Sequence, residues 1–127
     1  MKILIVDDDM HKINHILFAF YNDNVDISNN FFNGLKKIQS NSYDLLILDM
    51  NFPISEGGKI HKLGFEFLDE LKREKISMPT IIYSSELYDV ANYKNVIDYI
   101  KYNMLSDERE HINNIKSKVL SLNKYKN

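Results

Sequence analysis

Asp44-Leu45-Leu46-Ile47-Leu48-Asp49-Met50 reads as a strand buried on both faces that ends in a carboxylate. Four apolar residues in succession leave no side for water, the pattern of a central strand in a parallel sheet. An acid closing so apolar a run needs a reason, because a buried charge is costly unless something pairs it. Asp49 is therefore the first residue marked for function.

Outward from it, strands and helices alternate. Residues 3–6, Ile-Leu-Ile-Val, form a second continuous apolar run and lead into Asp7, Asp8 and Asp9. Ile13, Ile16, Leu17 and Phe20 then recur at helical spacing. Residues 25–28 follow a polar turn as a weaker strand, and Phe32, Leu35 and Ile38 suggest a second helix. Phe67, Leu68 and Leu71 mark a third helix, ending before Pro79. Residues 80–83 and 96–100 read as the fourth and fifth strands. Ile112, Ile115, Val119 and Leu122 give a last amphipathic helix. Five such units imply an α/β fold, a flavodoxin-like doubly wound five-stranded parallel sheet of order 2-1-3-4-5. The interval between the last two strands leaves the fourth helix short or absent over residues 86–93. One domain is expected over residues 1–123, with a frayed tail at 124–127.

Composition narrows the class. The chain has 127 residues, 44% of them hydrophobic, enough for one core without staples. Cysteine is absent, which excludes disulfides and thiolate metal sites. The net charge of −2, from 16 basic and 18 acidic side chains, marks no surface for nucleic acid or membrane. The N-terminal apolar run is too short for a signal peptide, and no stretch reaches a membrane span. A soluble, cytoplasmic protein is expected, with no direct contact to nucleic acid or membrane.

In doubly wound sheets chemistry collects at the carboxyl ends of the strands. There stand Asp7, Asp8 and Asp9, then Asp49, then Ser84 and Ser85, then Lys101. The first and third strands are neighbours in the expected order, so Asp7, Asp8 and Asp49 should converge. Asp9 serves equally well as the cap of the first helix. Clustered carboxylates repel, and a hard divalent cation, Mg²⁺ or Mn²⁺, is the simplest remedy. A carboxylate beside such an ion can act as a nucleophile toward phosphorus. A hydroxyl and an ammonium could then hold the remaining phosphoryl oxygens. Taken singly, Ser84 reads as a helix cap and Lys101 as a solvated lysine; the functional reading rests on their joint placement.

These stretches carry a family resemblance. Residues 3–9, 44–50 and 79–85 resemble the first strand, the phosphoacceptor strand and the fourth strand of the receiver domains of two-component response regulators, single-domain chemotaxis-type regulators among them. The resemblance implies that Asp49 accepts a phosphoryl group from a histidine kinase or a histidine phosphotransfer protein. It implies that Asp7 and Asp8 hold Mg²⁺ with Asp49 and the backbone carbonyl of Asn51. Ser84 would bind a phosphoryl oxygen, Ser85 would leave room beside it, and a downstream protein would read the change. The implied role is that of a phosphoacceptor, not of an enzyme, with at most slow Mg²⁺-dependent self-modification from small donors and self-dephosphorylation.

Three departures accompany the resemblance. Gly64 stands 15 positions beyond Asp49 (64 − 49), farther than receivers usually place the glycine that opens the third helix. The added piece, with Gly57, Gly58 and His61, reads as a mobile surface insertion or as a lid. Ser84 and Lys101 are 17 positions apart (101 − 84), which truncates the fourth helix. The lysine that closes the fifth strand is also ambiguous. If Asp98-Tyr99-Ile100 sets the register, Tyr102 takes its place; if one strand residue is missing, Lys101 does. Lys101 is expected, because an uncompensated acidic site is costly. A degenerate, receiver-like binding module with little or no phosphorylation is the alternative. An Asp-nucleophile phosphatase is disfavoured, because Asn51 stands where its general acid would be.

Overall fold

The protein is described by a computed structural model covering residues 1–126, with side-chain surroundings described through Lys118. In chain order the elements are β1 (Lys2–Val6), α1 (Met10–Ala19), β2 (Asn24–Ser28), α2 (Phe31–Ser40), β3 (Leu45–Leu48), β4 (Phe52–Pro53), β5 (Ile60–His61), α3 (Gly64–Arg73), β6 (Thr80–Ser84), β7 (Val96–Lys101) and α4 (Glu108–Lys126). Five strands form one parallel sheet in the order β2-β1-β3-β6-β7. This is the expected 2-1-3-4-5 winding, because β4 and β5 make a separate antiparallel pair.

Strand alternation divides the core in two. Leu4, Val6, Leu46, Leu48 and Ile82 pack with Ile38 of α2 and Phe67, Leu68 and Leu71 of α3. Ile3, Ile5, Leu45, Ile47, Ile81 and Tyr83 pack with Ile13 and Ile16 of α1 and Ile115 of α4. Both faces of the sheet are thereby covered by helices, which is why β3, and β1 beyond Lys2 at its start, carry no polar residue. Asp9 caps α1, its carboxylate accepting the His11 N–H at 2.9 Å, and Asn30 caps α2 by accepting the Asn33 N–H at 2.9 Å.

No fourth helix forms between β6 and β7. Tyr88, Val90 and Tyr93 lie against the core instead. The Tyr99 hydroxyl accepts the Tyr88 N–H, and the Tyr93 hydroxyl donates to Asp69 at 2.8 Å. This segment is an aromatic strap, anchored by hydroxyls in place of a helical hydrogen-bond ladder.

The insertion after Asp49 is not the weakly anchored loop expected from its glycines. Phe52 and Pro53 are buried and pair with Ile60 and His61. Gly57 takes the turn with φ of 76°, a backbone that glycine adopts without steric cost. The Phe32 N–H donates to the Ile54 carbonyl at 3.1 Å and ties the hairpin to α2. At the other end of the chain α4 continues to Lys126, through the first three residues of the segment expected to fray; Asn127 lies outside the described residues. Among the described residues no helix is long and apolar enough to cross a membrane.

Gly64 closes the insertion against the strand that ends in Asp49. Its N–H donates to the Met50 carbonyl at 3.0 Å, and an added Cβ would meet Met50 Cα at 2.7 Å. A backbone atom so close cannot step aside as a side chain does. Gly64→Ala should therefore destabilise the protein by about 1–3 kcal/mol through overpacking, read by urea denaturation; an unchanged midpoint would show that this contact yields freely.

Candidate functional site

The backbone ladder brings Asp7 and Asp49 together. Val6 pairs with Leu48, the Asp49 N–H donates to the Val6 carbonyl at 2.9 Å, and the Asp7 N–H donates to the Ser28 carbonyl at 3.0 Å. Two side chains that leave adjacent parallel strands in register must share one space. Asp7, Asp8 and Asp49 each place a carboxylate oxygen within 4.8 Å of the others. Asp7 is 1% exposed and Asp49 7%, while Asp8 is half-buried.

The compensating charge is an ammonium that the sequence reading did not single out. Lys12 Nζ lies 2.9 Å from Asp7 Oδ2 and 3.1 Å from Asp49 Oδ1. Lys12 is in the first turn of α1, one turn before Ile16, and so shares the inward face of that helix. Its position was the available signal. A lysine in a first helical turn opposes the helix dipole, and two or more carboxylates just upstream reverse that cost. Tyr83 and Tyr102 roof it, with Nζ 5.1 Å and 5.9 Å from the ring centroids, as cation–π contact requires.

Lys101 does not supply this charge. It is exposed and pairs with Ser84 at the end of β7, and Tyr102 lines the site instead. The physical reason is a register shift. Thr80 pairs with Val96 but Ile81 pairs with Asp98, so Ile97 is passed over. Beyond the shift Tyr99 faces the α2–α3 side of the core, whereas Ile100 and Tyr102 face the α1–α4 side. Alternation then sends Lys101 away from the face that carries Lys12. Tyr102 is held by an edge contact with Tyr83 and by stacking on His111, centroids 5.6 Å and 4.7 Å apart, and His111 stacks in turn on His15 at 4.6 Å.

Above the carboxylates opens a cavity of about 400 Å³, lined by Asp8, Lys12, Asp49, Asn51, Ser85 and Tyr102 among others. A cavity of similar volume lies at the opposite, amino end of β6, between α3 and the strap; it holds no carboxylate and is set apart from this chemistry. Ser84 is fully buried at the end of β6 and does not line the cavity above the carboxylates, whereas Ser85 does. Asn51 also reaches the strap, its side-chain amide donating to the Tyr88 hydroxyl at 3.4 Å.

Burial sets the electrostatics. It raises the Asp7 carboxyl to about 7, against the pull of Lys12 and with the added push of Asp49. It raises Asp8 as well. Burial alone would lower the Lys12 ammonium, but Asp7 and Asp49 outweigh it and hold Lys12 above its ordinary value. His15 is pushed down by burial and by His111.

A hard divalent cation fits this donor set. All three ligand candidates are oxygens, and Asp7 Oδ2 is buried with no hydrogen bond, met only by the ammonium. Asp7 Oδ1, by contrast, already accepts the Asp9 N–H at 2.9 Å, and Asp49 Oδ1 accepts the Met50 N–H at 2.8 Å.

No family model matches the chain. The transcriptional regulatory protein CiaR of Streptococcus pneumoniae (strain ATCC BAA-255 / R6) is 34% identical over 88 residues, covering 68% of this chain and 36% of CiaR. The chain thus matches only about a third of the length of that curated relative. Among solved structures, the response regulator TrrA of Thermotoga maritima, in complex with Mg²⁺-BeF, is 25% identical with a TM-score of 0.69, covering 95% of this chain and 97% of its own. The Mn²⁺-bound response regulator Rcp1 superposes with a TM-score of 0.72 at 16% identity, covering 92% and 90%.

The raised carboxyl of Asp7 has a pH signature. Its proton is held more tightly folded, to about 7, than at the ordinary 3.8. Between those values the native state binds more protons than the unfolded state, so stability falls as pH rises. In metal-free protein Asp7→Asn should gain stability relative to wild type on going from pH 4 to pH 8, read as the difference in urea unfolding free energy. A pH-independent difference between the two proteins would contradict this.

Proposed function

The chain is a receiver domain of the response-regulator kind, and from that premise we propose that it accepts a phosphoryl group on Asp49 from a phosphohistidine and signals through a protein partner. The donor is a histidine kinase or a histidine phosphotransfer protein. One observation carries the reading: Asp49 ends the central strand at the floor of a cavity, with two further carboxylates and an ammonium converging on it.

The chemistry follows from the two Asp49 oxygens. Both the Met50 N–H and the Lys12 ammonium fall on Oδ1, which leaves Oδ2 as the attacking oxygen. Attack forms the new O–P bond as the N–P bond to the donor imidazole breaks, giving a mixed anhydride on Asp49. Asp7, Asp8, Asp49 and the Asn51 carbonyl would hold Mg²⁺ or Mn²⁺. Such an ion supplies charge neutralisation on the phosphoryl oxygens. Ser84, whose hydroxyl is buried at the carboxyl end of β6 next to β3, serves as the donor to one of those oxygens. Ser85, exposed at the cavity wall, leaves the phosphoryl group room.

A second reading, a receiver-like binding module with little phosphorylation, is favoured by the exposure of Lys101 and by the place that Tyr102 takes. One experiment separates the two. Acetyl phosphate with Mg²⁺ should add a single phosphoryl group to the wild type, seen in the intact mass, and none to Asp49→Asn. Undiminished modification of the variant would remove Asp49 from its role, and an unmodified wild type would favour the binding module.

A further inference from the structure

We propose that Lys12 is a tethered counter-ion that a divalent cation must displace, so that this one side chain of α1 sets the metal affinity of the site. The inference rests on reading the carboxylate cluster as a divalent-cation site. Of the two Asp7 oxygens, Oδ1 already accepts the Asp9 N–H, so Oδ2 is the one with more lone-pair capacity to offer a metal. That oxygen is the one Lys12 touches at 2.9 Å, and the same ammonium sits 3.1 Å from Asp49. A hard cation binds carboxylate oxygen at roughly 2.0–2.1 Å and tolerates no second positive charge on the same oxygen at low cost.

Lys12 does not stand clear of the conflict in water. It is 3% exposed, enclosed by the site and by the rings of Tyr83 and Tyr102. Those rings favour a cation in place, which biases the site toward its metal-free arrangement. By linkage, whatever free energy the ammonium contributes to the empty site is subtracted from metal binding, and the coupling is reciprocal.

The test is calorimetric titration with Mg²⁺ at pH 7 and pH 9, the higher pH separating competition from protonation of Asp7. Lys12→Met keeps the length and apolar stem and removes the charge. At pH 9 it should bind Mg²⁺ about tenfold or more tightly than wild type, within the usual range of site-to-site coupling, while Lys101→Met binds as wild type does. Equal or weaker binding by Lys12→Met, or no binding by either protein, overturns the proposal. Should that variant fail to fold, the wild type gives the answer. The Lys12 Cε resonance should shift and saturate along the Mg²⁺ titration, and saturation without that shift overturns the proposal. Metal binding is read directly, so failure of Asp49 to take a phosphoryl group leaves the result standing.

Discussion

The ion bridge from Lys12 to Asp7 and Asp49 is the interaction on which the arrangement of this molecule turns. Adjacent parallel strands in register leave their terminal carboxylates no freedom to separate, and burial strengthens the repulsion between them. An ammonium delivered from the first turn of α1 resolves the conflict from inside the fold. Its delivery depends on α1 being seated by Ile13 and Ile16 against the sheet. It depends also on Tyr102, which closes the site over the lysine and is itself clamped by Tyr83 and His111. The site is thus continuous with the α1–α4 side of the core, through a stack that runs from Tyr102 to His15.

Much of this was legible in the sequence, because apolar runs mark where buried strands stop. Residues 3–6 and 45–48 fixed the places of Asp7 and Asp49, and strand order then brought them together. The shortness of the interval before β7 declared the missing helix. The lysine was misread for a definite reason. Its direction hangs on a single passed-over residue, Ile97, and an isoleucine that bulges looks like an isoleucine that pairs. A lysine on a helix is ordinarily solvated, so the spacing that puts Lys12 on the same face as Ile16 points to burial only once Asp7 and Asp49 are seen to converge beside it. In the insertion, Gly57 and Gly58 suggested looseness and masked the anchoring weight of Phe52.

Loss of the fourth helix changes the character of one face. The strap holds its place through tyrosine hydroxyls at Tyr93 and Tyr99 and through the ring of Tyr88 against Phe65. A helix moves as a unit, because each residue is bonded to the next turn. A strap of separate anchors can yield at one without releasing the others. The Asn51 amide on the Tyr88 hydroxyl links the first of these anchors to the chain just after Asp49.

The register shift at Ile97 bears on more than one lysine. β7 is an outer strand of the sheet, joined only to β6. A straight outer strand offers a row of free amides and carbonyls on which another chain can add. The shift breaks the even spacing of that row, and Asp98 and Lys101 set charges of both signs along it. The same irregularity that turns Lys101 away from the carboxylates therefore makes it a guard of the sheet's margin. An irregular, charged margin of this kind is a poor template for a further strand.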